Sequence, residues 1–117
     1  MSPGRIWSLE ALRELLETFQ VPMAASHETR VWVVNEAYCA MLGHPREAIE
    51  GSLWETYSAP EEIRRLHQRY ELRNRGEIAT GHAYPILVLG RGGRRIHCLL
   101  QVSYLPREGG GEWAVGT

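Results

Sequence analysis

The run His67-Gln-Arg-Tyr70 carries the residues of this chain best suited to chemistry. Around it, PEEIRRLHQRYELRNRG opens with proline and acids and closes with Gly76, which predicts one long helix over 60–76. On that helix His67 shares an apolar face with Ile63, Leu66 and Tyr70, and an imidazole placed there is a good axial ligand for iron. The competing role is a core histidine hydrogen-bonded to a backbone carbonyl. Other metal and redox chemistry lacks its spacing: Cys39 and Cys98 stand far apart, in neither CxxC nor CxxCH, and read as buried thiols rather than a disulfide. Catalysis would need a nucleophile beside a base, or paired carboxylates in a pocket, whereas the acidic residues fall mainly on helix surfaces and turns.

The elements that position these groups must come from one domain of 117 residues, 44% hydrophobic and 23% charged, an ordinary globular composition. A formal charge of −1 leaves no footprint for a phosphate backbone, so no nucleic-acid partner is expected. Arg64, Arg65, Arg69, Arg73 and Arg75 are interleaved with Glu61, Glu62 and Glu71 and read as a solvated helix face. No stretch has the roughly 18 apolar residues of a membrane span, and the N-terminus lacks a signal peptide's apolar run. No membrane insertion and a cytoplasmic location are expected.

Along the chain, Ser8 caps a helix whose Leu9, Leu12, Leu15, Leu16 and Phe19 form one apolar stripe. This divides the chain into an amphipathic N-terminal helix at 1–19, serving as a cap or dimer element, and a domain at 20–117. QVPMAASH and RVWVV then predict a hairpin. Asn35 suits the N-cap of EAYCAML, with Ala37, Tyr38 and Met41 inward, and Gly43 suits its C-terminal stop. A second short helix, REAIE, runs to Gly51, and SLWETYSA packs a single turn over the core.

After the long helix, EIATGHAYPILVLG, RRIHCLLQVSYLP and EWAVGT predict three more antiparallel strands. In the middle one, Ile96, Cys98, Leu100, Val102 and Tyr104 share the inward face, while His97, Leu99, Gln101, Ser103 and Leu105 share the other. The expected fold is therefore α+β: a five-stranded antiparallel sheet with short helices over one face. The N-terminal amphipathic helix covers the other face, from its own chain or a partner's. Leu9, Leu12, Leu16, Phe19 and Leu99 are the candidate dimer residues.

The order of elements, with NEAYCAMLGHPREAIEG at its centre, resembles the PAS family of sensory domains. The family's motif is carried by Asn35, Ala37, Tyr38, Leu42, Gly43, His44, Glu47 and Gly51. The GRGGRRIHCLLQVSYLP hairpin and the closing EWAVGT are similar to its last strands, so the resemblance covers nearly the whole chain. It implies a sensory input and dimerisation module, non-enzymatic itself, working as a homodimer. It also implies a C-terminal output domain in the same protein, such as a histidine kinase or diguanylate cyclase.

PAS domains hold a small ligand between sheet and short helices, or hold none. The resemblance makes Met41, Trp54, Leu66, His67, Tyr70, Cys98, Leu100 and Trp113 the pocket candidates, with Trp113 nearest the ligand side. A flavin–cysteine adduct is not expected, because SLWETYS lacks the reactive cysteine of the light-oxygen-voltage class. Haem on His67 is the alternative, since haem-sensing relatives carry a similar His-x-x-Tyr on this helix. A small α+β enzyme is the third reading.

Overall fold

The computed structural model describes residues 6–76 and 83–117. Helix α1, Leu9–Glu17, is opened by Ser8, whose Oγ accepts the Ala11 N–H at 3.1 Å. A hairpin follows, β1 Ala24–His27 and β2 Arg30–Val34. Then come α2 Glu36–Leu42, α3 Arg46–Ile49, a 3-10 turn at Trp54–Tyr57, and α4 Pro60–Asn74. The remaining elements are β3 Tyr84–Leu89, β4 Arg95–Leu100, β5 Val102–Pro106 and β6 Glu112–Gly116. The start of the predicted third strand, at 77–82, lies outside the described residues.

The fold is α+β, but the strands form two antiparallel ladders, β2-β1-β6-β5 and β3-β4, rather than one five-stranded sheet. The cause is a break at Gln101 in the run expected as a single strand. β3 pairs with the first half, Tyr84 opposite Leu100, and β6 with the second, Gly116 opposite Val102. The partners are thus staggered. Between them Gln101 donates its N–H to Thr117 O at 3.2 Å and accepts the Thr117 N–H at 2.9 Å.

Alternation along the strands, shifted in β2 by a bulge opposite Ala25 and Ser26, sorts the apolar residues into two cores. Met23, Ala25, Val33, Trp113 and Val115 face outward and are covered by Leu12 and Leu16 of α1. Val31, Val34 and Val88 face inward against Cys39, Leu42 and Ile49 of the short helices. Cys39 and Leu42, rather than Ala37, are the fully inward residues of α2.

This placement corrects the dimer expectation for α1. Leu12 and Leu16 are 0% exposed against their own sheet, so neither is available to a partner, while Leu9 packs on the same cluster and is partly buried. Phe19 and Leu99 stay exposed, at 46% and 68%.

Two polar knots fasten α1. The fully buried Asn35 accepts the N–H groups of Tyr38 and Met23 on Oδ1, both at 3.0 Å. Its Nδ2 donates to the carbonyls of Leu16, Phe19 and Val21 at 3.1, 3.2 and 2.8 Å. It is therefore the cap of α2 and also the bond between α2, the end of α1 and the entry to β1. Glu50 accepts a bidentate pair from Arg13 of α1, at 2.8 and 3.0 Å, and the Val34 N–H at 3.0 Å. Arg46 adds pairs to Glu17 at 2.5 Å and Glu36 at 2.9 Å. Glu47, the motif position, is exposed, and the contact falls to Glu50 instead.

The two glycines of the motif have φ of 76° at Gly43 and 92° at Gly51. Both lie in the left-handed region, where a Cβ would clash with the backbone. At Gly43 the N–H returns to Cys39 O at 2.8 Å and ends α2, and at Gly51 it reaches Val31 O at 2.7 Å and ties the chain to β2.

Candidate functional site

The inner sheet face is lined at its centre by small side chains. β1 contributes Ala24 and Ser26, and β6 contributes Ala114 and Gly116, while their bulky neighbours Met23, Trp113 and Val115 point to α1. Opposite them α4 has no fully buried residue. Small residues on one wall and a helix standing off on the other leave a cavity of ≈ 650 Å³. Its remaining walls come from α2, the 3-10 turn and β3 to β5.

Of the eight predicted pocket residues, the structure brings six to this cavity: Met41, Trp54, Leu66, Tyr70, Cys98 and Leu100. Trp54 meets Tyr70 edge-on at 5.2 Å between ring centroids, closing the end by the 3-10 turn. Cys98 Sγ lies 3.9 Å from Met41 Sδ. Leu99 reaches the rim.

Trp113 is placed on the opposite face. It packs with Leu12 and Leu16 and donates its indole N–H to Trp7 O at 2.9 Å. Alternation in EWAVG puts Trp113 and Val115 on one side and Ala114 and Gly116 on the other, and the ligand side took the small pair.

His67 is also outside the cavity lining. The 3.6-residue period turns Leu66, Arg69, Tyr70 and Arg73 inward and leaves His67 toward the 3-10 turn. There its Nε2 lies 2.9 Å from Glu55 Oε1, with the side chain 40% exposed. The nitrogen an iron would need is engaged by a carboxylate at the surface. Among the described residues no cluster of three metal-ligating side chains occurs.

The cavity also contains groups that sequence reasoning assigned elsewhere. Arg69 and Arg73, read as part of a solvated face, turn inward. Arg69 stacks on Tyr84 at 3.7 Å from the ring centroid, and Arg73 on Tyr104 at 3.8 Å, with Glu112 pairing Arg73 at 2.9 Å. The signal was available, since positions 66, 69, 70 and 73 share one helical face.

Burial sets the electrostatics of this space. It pushes the Tyr38 phenol up to about 12, with Cys98, Cys39 and Tyr57 adding to the rise. It also raises the Cys98 thiol and the Tyr104 phenol, where Arg73 opposes it, and, outside the cavity lining, the Cys39 thiol, where Arg46 opposes it. These groups are therefore neutral at pH 7, and neither thiol is a ready nucleophile. The wall is suited to binding rather than bond-making.

A model of the PAS fold matches residues 10–116. The chain belongs to the PAS domain family. Solved structures of low identity share the fold. A PAS domain from a two-component sensor histidine kinase is 14% identical with a TM-score of 0.71, covering 92% of this chain and 90% of that one. The PAS domain of an HTR-like protein from Haloarcula marismortui is 14% identical with a TM-score of 0.69, covering 92% and 86%. The PAS domain of Bordetella pertussis BvgS is 21% identical with a TM-score of 0.67, covering 92% and 82%. No curated protein matches the chain closely enough to count as a relative. PAS domains are sensory modules, so this chain is a signalling sensor domain. Among its described residues no helix is long and apolar enough to cross a membrane.

Proposed function

We propose that this PAS domain senses a small organic molecule held in the cavity between α4 and the inner sheet face. The observation that carries the reading is the ≈ 650 Å³ space walled by apolar and aromatic side chains. It falls within the roughly 300–1,000 Å³ of small-molecule sites, and a few polar groups sit among its apolar walls. Ala114 and Gly116 of β6 touch this space, so an occupant contacts the last strand directly. A change in how that strand is held is the signal passed to an output domain following Thr117.

A homodimer belongs to the same reading, formed through surface that includes Phe19 and Leu99, with α1 kept on its own sheet. Sedimentation of the wild type and Leu99→Glu tests that part: a dimer that the substitution weakens supports it, and a monomeric wild type overturns it.

The ligand reading is tested by ligand-observed NMR on a mixture of small organic compounds, comparing wild type with Cys98→Trp. The indole fills the cavity from β4. Binders seen with the wild type and lost in the folded variant support the reading. No binders, or binders indifferent to the substitution, overturn it.

A further inference from the structure

Resting on the ligand reading above, the geometry of Arg69 points to a class of ligand: we infer that the cavity takes an organic carboxylate with an apolar body, its carboxylate on the edge of the Arg69 guanidinium. Arg69 lines the cavity with its Nε buried and without a hydrogen-bond partner. Among the described residues no carboxylate or carbonyl satisfies it. Its neighbours on α4 differ: Arg65 pairs with Glu62 at 2.6 Å, and Arg73 pairs with Glu112 at 2.9 Å. Arg107 also has a buried free Nε, but its Nη1 donates to Gly110 O at 3.1 Å, away from the cavity.

A guanidinium without a partner beside largely apolar walls is costly, and its accessible Nη groups call for an acceptor from elsewhere. The face of the guanidinium is already occupied, 3.7 Å from the Tyr84 ring centroid. Stacking takes the face and the buried Nε closes one edge, which leaves the Nη1–Nη2 edge, paired by no described residue, to present two parallel N–H groups matched to the two oxygens of a carboxylate. Among the described residues the acidic side chains at the cavity do not compete for it: Glu112 is taken by Arg73, and Glu28 is 77% exposed beside His27. Leu66, Tyr70, Ile86, Cys98, Leu100 and Val102 provide the apolar surface for the rest of the molecule.

The test uses N-phenyl-1-naphthylamine, a neutral fluorophore, as the reporter of cavity occupancy. It is displaced in parallel by 1-naphthylacetate and by 1-naphthylacetamide, which differ only in the anionic group, at about 0.15 M salt so that distant charges are screened. The acetate is expected to displace the reporter at about tenfold lower concentration than the amide, the scale of a charge-assisted pair. Arg69→Gln should abolish that gap, with circular dichroism and the melting midpoint read beside the wild type to show that the variant is folded. Arg64→Gln, on the exposed side of α4, should leave the gap unchanged. Equal or absent displacement by the two competitors in the wild type, or a gap that survives Arg69→Gln, overturns the inference. A reporter that does not bind the wild type at all overturns the ligand reading with it.

Discussion

Replacing Asn35 by Ala separates two roles that one buried side chain performs. The cap of α2 is worth about 1 kcal/mol. The Met23 N–H, 3.0 Å from Oδ1, loses its acceptor in a buried place, which costs about 1–3 kcal/mol. The carbonyls of Leu16, Phe19 and Val21 lose a shared donor as well. The sum is roughly 2–5 kcal/mol, or about 8–20 °C in melting midpoint at about 4 °C per kcal/mol. Asn35→Asp discriminates further. A carboxylate caps a helix as well as an amide does, but here it would aim charge at three carbonyls, so the substitution should cost at least as much as Ala at pH 7. Its carboxyl is disfavoured when ionised in the fold, so the native state binds the extra proton and the stability of this variant relative to wild type should fall as pH rises. Urea melts at pH 5 and pH 7 read both effects. An Asp variant as stable as wild type at pH 7 would reduce Asn35 to a helix cap and refute the bridging role.

Leu16→Ala opens a cavity in the outer core and should cost about 2–5 kcal/mol without changing the assembled mass, as read by denaturation and light scattering. A loss of oligomer with unchanged monomer stability would return α1 to a partner interface. Because burial raises the thiols of Cys39 and Cys98, their alkylation by iodoacetamide, followed by intact mass, should still be accelerating above the ordinary thiol range near about 8.5. A plateau by pH 8 contradicts the dry environment assigned to them.

Much of this architecture was legible because local chemistry demands it. Asn35, Gly43 and Gly51 sit where a cap and two left-handed turns are needed, and the inward run from Ile96 to Tyr104 follows strand alternation. What escaped depends on relations between elements. Alternation in EWAVG separates Trp113 from Ala114 without saying which faces the ligand side, and the answer came from α1, whose leucines needed the bulky pair. His67 and Arg69 lie two positions apart on one helix, and a rotation of the apolar face by half a turn exchanges their roles. The break at Gln101 reflects where β3 and β6 find partners, a stagger that no single strand records. Asn35 looked like an ordinary cap because its second set of partners comes from residues 16–21, distant in sequence.

The most direct test of the central claim is chemical-shift mapping of a bound compound from the NMR screen on the labelled domain. Occupation of the cavity predicts the largest shifts at Met41, Tyr70, Cys98 and Ala114, with Leu12, Leu16 and Trp113 on the outer face unmoved. Shifts concentrated on α1 and Trp113, or spread over the exposed surface, would contradict it.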